Sequence, residues 1–320
     1  MSEAPVALSA GRETEAARRR AALDAARAAR PDAPPFELAL DVRNTPPERV
    51  SYLLFAPDGP ISDLRPYARV KAVLSLWAGV ETLVGRPDLP ETAPVARMVE
   101  DGLTEGMRDY CVAHAMRAHV DLDATLARSR AGEWVEEHPP LARDRRVGVL
   151  GLGVLGGEVA RVLAGLGFRV SGWSRSPRDV AGVACRAGEE GLAQVLAESD
   201  ILIVLAPLTP ETRGLLNAER LALLPKGAHV INAARGPLVV EADLLAALDA
   251  DRVAGATLDV FDVEPLPSDH PYWAHPRVTV TPHVASVTRV ETAAQEIVKQ
   301  IARCEAGEPV RHLVDLSRGY

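Results

Sequence analysis

Arg146-Val147-Gly148-Val149-Leu150-Gly151-Leu152-Gly153-Val154-Leu155-Gly156-Gly157-Glu158 is a short apolar run followed at once by glycines at fixed spacing. Valine and leucine over Val147–Leu150 predict a buried strand, and the apolar residues of Glu158–Leu166 recur at helical intervals. Strand, glycine turn and helix in that order form the frame in which Gly151-x-Gly153-x-x-Gly156 has a physical meaning. Gly151 permits the tight turn, Gly153 leaves room for a pyrophosphate against the backbone, and Gly156 lets the helix approach the sheet. The helix start then offers unpaired N–H groups and a partial positive charge to phosphate oxygens.

Outward from this stretch, strands and helices alternate. Arg169–Trp173, Ile201–Leu205, Ala228–Asn232, Ala256–Val260 and Val278–Thr281 are expected strands; Glu190–Ala197, Ala218–Leu224 and Glu241–Ala250 are expected helices. Apolar strands separated by such helices imply an α/β architecture, a doubly wound parallel sheet covered on both faces. The region before it repeats the theme, with apolar runs at Val6–Leu8, Phe36–Leu40, Val50–Phe55 and Val70–Leu76, and a helical segment over Glu13–Arg30. Within that segment Arg18-Arg19-Arg20 interleaves with Glu13, Glu15 and Asp24, which reads as the solvated side of a helix. A proline-rich connection over Arg86–Pro94 follows. Glu105–Leu126 then reads as one long helix, whose face of Met107, Tyr110, Cys111, His114, Ala118 and Leu122 suits a dimer contact. Arg289–Ala306 is a last helix, and the tail Gly307–Tyr320 is too polar for a core. Two lobes are therefore expected, a substrate-binding domain of residues 1–100 plus 287–320 and a dinucleotide-binding domain of residues 101–286. A chain that crosses twice between lobes predicts a cleft that closes by a hinge.

At 320 residues with 47% hydrophobic and 25% charged side chains, the chain is long enough for two separate cores. A net charge of -8 argues against a nucleic-acid-binding surface. The three cysteines, Cys111, Cys185 and Cys304, are far apart and suggest neither a disulfide framework nor a metal site, which fits a cytoplasmic protein. Met1–Ala10 lacks the layout of a signal peptide, and no stretch has the apolar length of a membrane span.

Ligands of such sheets lie beyond the carboxyl ends of the strands. An NAD site expects an acidic residue after the second strand; Trp173-Ser174-Arg175-Ser176 stands there instead. Serine hydroxyls and a guanidinium suit a 2′-phosphate, which favours NADPH, with NADH as the alternative. Leu205-Ala206-Pro207-Leu208-Thr209-Pro210-Glu211-Thr212 forms a stiff loop suited to bordering a cofactor ring. Beyond the next strands come Asn232-Ala233-Ala234-Arg235-Gly236, then Asp259 to Glu264, then Thr281-Pro282-His283. Reduction of a 2-keto acid needs a cation for the carboxylate and an acid for the emerging alkoxide. Arg235, His283 and, as the histidine's carboxylate neighbour, Glu264 fit those roles.

Together, the glycine turn, Asn232-Ala233-Ala234-Arg235-Gly236, Leu258-Asp259-Val260-Phe261-x-x-Glu264-Pro265 and Thr281-Pro282-His283 resemble the D-isomer-specific 2-hydroxyacid dehydrogenase family. Trp173–Ser176, Glu241-Ala242-Asp243-Leu244-Leu245, Thr281–Arg289 and the ending Ser317-Arg318-Gly319-Tyr320 are similar to its glyoxylate/hydroxypyruvate reductase A branch. The resemblance implies a homodimer of two Rossmann-like lobes. It also implies that Arg235 binds substrate, His283 donates the proton, Glu264 supports it and Asp259 lies near the nicotinamide. Gly151, Gly153, Val154, Leu155, Gly156, Ser174, Arg175, Ser176, Leu205, Pro207, Thr212, Ala233 and Asp259 are the expected cofactor residues, with no metal. Trp77, Ala78 and Gly79 match the loop that meets the substrate carboxylate through backbone N–H groups; this chain has Trp77 where the related reductases carry glycine. The indole keeps bulkier, phenylpyruvate-type 2-keto acids as an alternative to glyoxylate and hydroxypyruvate. A dinucleotide-sensing binding protein without turnover is the alternative from another class.

Overall fold

The computed structural model describes residues 4–316. They form two compact units, one built from the chain up to Leu103 together with the chain from Thr288, the other from Thr104–Val287. The ending Ser317–Tyr320, which carried part of the resemblance, lies outside the described residues.

In the first unit, β1 (Val6–Ala10), β2 (Glu37–Ala39), β3 (Val50–Phe55), β4 (Ala72–Ser75) and β5 (Val95–Ala96) make a parallel sheet in the order β2-β1-β3-β4-β5. Nearly every residue of β1, β3 and β4 is buried, as expected of strands covered on both faces. One cover is the pair α1 (Ala16–Ala28) and the helix Val290–Glu305, which is α9 in chain order. Ala293, Ala294, Ile297, Val298 and Ile301 fall three and four residues apart on that helix and pack with Leu23 and Ala26 over Tyr52 and Leu54.

Two readings of this unit change. Arg19 belongs to the interior, 7% exposed, not to the wet side of α1. Its guanidinium donates to Ser9 Oγ at 3.1 Å and Arg12 O at 2.6 Å and pairs with Glu15, so fixed acceptors take the place of water. The polar tail also contributes to the core. Val310 and Val314 are buried, and Leu313 bridges to Ala96 at the edge strand that the proline-rich stretch concealed.

The second unit begins in α2 (Asp101–His119), whose first turn is capped by the Glu100 carboxylate on the N–H groups of Gly102 and Leu103. α3 (Leu122–Ala131) follows after a break at Asp121, which adopts φ 49°. The single helix expected over Glu105–Leu126 is thus two, interrupted by a residue type that tolerates the left-handed region. Met107, Cys111 and Ala115 pack with Val147, Val149, Val159 and Ile201, so Met107 and Cys111 of the expected dimer face serve this unit's own core, while Leu122 is exposed.

Then come β6 (Arg146–Leu150), α4 (Val154–Gly165), β7 (Arg169–Ser174), β8 (Val183–Ala187), α5 (Gly188–Glu198), β9 (Ile201–Val204), α6 (Ala218–Leu221), β10 (Ala228–Asn232), α7 (Glu241–Asp249), β11 (Val253–Leu258), α8 (Pro271–Ala274) and β12 (Val278–Val280). The seven strands are parallel in the order β12-β11-β10-β9-β6-β7-β8. From β6 the chain builds outward through β7 and β8, then returns to β9 and builds the other way. The strand order reverses between β6 and β9, where this architecture places its ligand crevice. β8 escaped the sequence reading because its alternation is weak, with no residue fully buried. Among the described residues no helix is long and apolar enough to cross a membrane.

His229 on β10 lies opposite Gly255 on β11, and its ring fills the space that a Cβ at Gly255 would need, 2.7 Å away. Burial holds its pKa at about 4, with Asp123 opposing the shift and Arg117 and His114 adding to it. The ring is therefore neutral in the fold and takes up a proton on unfolding below pH ~6.5, so its contribution is full above that pH and lost as pH falls towards 4. His229→Gln does not titrate. In urea titrations the wild type should lose about 3 kcal/mol more than this variant between pH 7 and pH 4; parallel losses would refute the assignment.

Candidate active site

β6 ends at Gly151, whose φ of 104° is open to glycine alone. A Cβ there would also lie 2.5 Å from the Leu205 carbonyl and the Ala206 nitrogen, because the loop after β9 presses against the turn. At Gly156 a Cβ would come within 1.8 Å of Gly151 O, so the first turn of α4 sits against the glycine loop itself. At Gly153, the residue preceding α4, a Cβ would meet nothing within 4 Å. No side chain caps the helix start. Open space above uncapped N–H groups is the cradle that a pyrophosphate needs, and the residues fit a dinucleotide.

Around it stand the other expected cofactor residues. Ser174 closes β7, and its hydroxyl donates to Ser176 O at 2.8 Å, which curls Ser174–Ser176 into a tight turn beside the glycine loop. Arg175 projects from this turn and, after the stronger effect of a Thr209 hydrogen bond, helps hold the Glu211 carboxyl below its ordinary range. Across the reversal, Thr212 Oγ1 donates to Pro207 O at 2.7 Å and accepts from the Thr209 N–H at 2.8 Å, so the proline loop is tied upon itself.

The chemistry-bearing groups follow the next three strands, β10, β11 and β12, which are neighbours in the sheet. After β10, the Asn232 side chain, 1% exposed, accepts from the Ala234 N–H and donates to Arg235 O, which shapes the loop that presents Arg235. Gly236 has backbone so close that a Cβ would lie 2.1 Å from Phe261 C. The Arg235 loop and the Phe261–Glu264 loop after β11 are therefore in direct contact. Glu264 Oε1 accepts from the Phe261 N–H at 2.9 Å, and Oε2 lies 2.7 Å from His283 Nδ1. His283, from the loop after β12, has φ 54°. Its side chain is 47% exposed and that of Glu264 34%, so the pair is open to a small molecule. A carboxylate only accepts, so Nδ1 carries the hydrogen in this pair and Nε2 is left for other partners.

A sequence profile described as D-isomer specific 2-hydroxyacid dehydrogenase, NAD binding domain, matches residues 112–285. The chain is 42% identical over 256 residues to a glyoxylate/hydroxypyruvate reductase A of Yersinia enterocolitica, covering 78% of this chain and 82% of that protein. This chain belongs to the D-isomer specific 2-hydroxyacid dehydrogenase family. Solved structures agree. A family member from Xanthobacter autotrophicus Py2, in complex with NADPH and MES, superimposes with a TM-score of 0.92 at 43% identity, covering 99% of this chain and 100% of that one. An NADPH-dependent glyoxylate/hydroxypyruvate reductase from Sinorhizobium meliloti, with NADP and sulfate, gives 0.84 at 36% identity, with coverage of 99% and 100%.

In this 2-hydroxyacid dehydrogenase the second unit gathers Arg235, Glu264 and His283 on one sheet edge with the glycine turn. Asp259, expected beside the nicotinamide, is 1% exposed and bound to backbone N–H groups of the His283 loop. Asn232 and Thr281 also shape these loops, beyond the roles expected from the motifs that contain them; the signal for both is a short polar side chain at a strand end. In the first unit, the turn after β4 holds Trp77, 40% exposed, with Ser75 Oγ accepting from the Trp77 N–H at 3.1 Å and donating to Trp77 O at 2.8 Å. No group of His, Cys, Asp and Glu among the described residues is arranged to hold a metal.

The glycine turn yields a paired test. Gly156→Ala should cost about 3 kcal/mol or prevent folding, since its Cβ meets backbone that cannot yield. Gly153→Ala should melt with the wild type and weaken only nucleotide binding, measured by fluorescence titration with NADPH. Equal stability of the two variants would contradict the packing described.

Proposed function

We propose that this chain is an NADPH-preferring reductase of small 2-keto acids, which turns glyoxylate or hydroxypyruvate into the 2-hydroxy acid. The observation that carries the reading is the His283–Glu264 pair, 2.7 Å apart, on the same sheet edge as the glycine turn and in contact with the Arg235 loop. The relatives from Yersinia and Sinorhizobium, named for these substrates, support the same class.

Reduced nicotinamide, when bound at the glycine turn, supplies a hydride to the keto carbon. The chain's own groups do the rest. Arg235 pairs with the substrate carboxylate through its planar fork and draws electron density from the adjacent carbonyl. Glu264 keeps the hydrogen on Nδ1, so that His283 delivers its Nε2 proton to the oxygen as it gains charge. The histidine is left neutral and the product is the 2-hydroxy acid. Ser174, Arg175 and Ser176 favour a 2′-phosphate, and Val154, Leu155, Leu205, Pro207, Thr212 and Ala233 border the cofactor. The family resemblance assigns the turn Trp77–Gly79 of the first unit to carboxylate binding through N–H groups; Ser75 takes that of Trp77, so the assignment falls on Ala78 and Gly79.

The exposed indole of Trp77 favours one further reading, a preference for bulkier 2-keto acids. A kcat/KM for phenylpyruvate above that for glyoxylate would establish it. Purified protein should oxidise NADPH with glyoxylate or hydroxypyruvate, and an absence of turnover would favour a sensing role. His283→Asn should lower kcat by about 10²–10⁴-fold with NADPH binding kept, and Arg235→Lys should lose activity despite its charge. Arg175→Ala should reduce the preference for NADPH over NADH. Wild-type kinetics in any of these variants would remove the role given to that residue.

A homodimer completes the proposal. Leu122 and Leu126 on α3 and the following Trp134, Val135 and Leu141 are exposed, Trp134 by 90%, and supply the apolar side chains that such a contact would bury. Trp134→Glu should shift the sedimentation mass from twice the chain to one. Three free thiols, Cys111, Cys185 and Cys304, suit the reducing cytoplasm.

A further inference from the structure

His283 holds a left-handed backbone conformation that a residue with a Cβ enters only under constraint, and the constraint is visible. Its N–H donates to Asp259 O at 2.9 Å and to Thr281 O at 3.0 Å. The two residues after it are held by the Asp259 side chain: Oδ1 accepts from the Val284 N–H at 2.9 Å and Oδ2 from the Ala285 N–H at 2.8 Å. Thr281 Oγ1 also lies 2.5 Å from Asp259 Oδ1, and the Tyr110 hydroxyl of α2 lies 2.7 Å from Thr281 Oγ1.

Hydrogen counting fixes the direction of this chain. A carboxylate offers no hydrogen, so Thr281 gives its only hydroxyl hydrogen to Asp259. The Tyr110 phenol must then be the donor to Thr281. Burial pushes the phenol's pKa far above its ordinary value, so it keeps that hydrogen throughout the range in which the enzyme works. The Tyr110 ring packs 4.3 Å from that of His114, which holds the phenol in place along the helix.

We infer that Tyr110 and Thr281 are positioning residues for the proton donor, acting through Asp259 on the loop that carries His283. The inference rests on the reading of His283 as that donor. Phenol, hydroxyl and carboxylate are each oriented by the one before. With Thr281 in place, Asp259 has two oxygens pinned towards the N–H groups of Val284 and Ala285, and the backbone beside His283 has one position. Without it the carboxylate turns, the loop relaxes from its left-handed residue, and the imidazole leaves its place opposite Glu264. Displacements of this size are felt strongly in the chemical step and weakly in cofactor binding.

The test uses full-length Thr281→Val, Thr281→Ser, Tyr110→Phe and the double variant Tyr110→Phe/Thr281→Val, with His283→Asn alongside. Thr281→Val should lower kcat with glyoxylate by about a hundredfold and Tyr110→Phe by about tenfold, with NADPH affinity retained. Thr281→Ser should restore most of the rate. The double variant should be no slower than Thr281→Val, because Tyr110 acts only through the hydroxyl. Hydrogen exchange at the Val284 and Ala285 amides should speed up in Thr281→Val, independently of turnover. Wild-type kcat and wild-type exchange in Thr281→Val, or losses that multiply in the double variant, would overturn the chain. Full turnover in His283→Asn would instead overturn the donor reading beneath it. Should Thr281→Val fail to fold, Tyr110→Phe retains the ring packing and carries the same two measurements.

Discussion

Strands that all run one way leave their carboxyl ends on one edge of the sheet, and the candidate site residues of the second unit are arranged along that edge. The turn at Gly151, the Ser174–Ser176 curl, the tied proline loop, Arg235, Glu264 and His283 each follow a different strand, and neighbouring strands set their spacing. Residues more than a hundred positions apart in the chain thus come to the same edge through the pairing of their strands. The burial of both sheet faces supplies the rigidity, and the loops supply the chemistry.

Exposure separates two kinds of polar residue along that edge. Asn232, Asp259 and Thr257 are each 1% exposed, and the side-chain oxygens of the first two are engaged with loop backbone. Groups removed from water in this way must be satisfied internally, and in being satisfied they fix the loops. His283 and Glu264 stand in the opposite condition, half-open and paired with each other. The same loops therefore carry an inner row of groups that hold position and an outer row free to meet a substrate.

Much of this was legible in the sequence because it depends on local pattern. The glycine spacing, the apolar strands and the polar residues just beyond them are read directly along the chain, and β3 and β10 lie over the residues expected of them. What was missed depends on tertiary surroundings. Nothing in the residues around Asp121 announces a break, since neither glycine nor proline is there, and only its positive φ ends the helix. Arg19 resembles its solvated neighbours until Ser9 and Arg12 are seen to enclose it. The face of Met107, Cys111 and Ala115 looked apolar for the right reason but gave no sign of which surface covers it. Tyr110 and Thr281 meet across 171 positions, beyond the reach of any periodicity.

The first unit is discontinuous, and its covering helix α9 lies beyond the whole of the second unit in the chain. Ile297, Val298, Ile301 and Val310 belong to the core that closes over Tyr52 and Leu54. Burial of four such side chains is worth on the order of 10 kcal/mol, comparable to the net stability of a domain. As the polypeptide leaves the ribosome, the second unit is complete first, while the earlier-made sheet waits with one apolar face uncovered. Assembly during synthesis thus runs from the middle outward, and the amino-terminal third gains its covering helix only when translation passes α9.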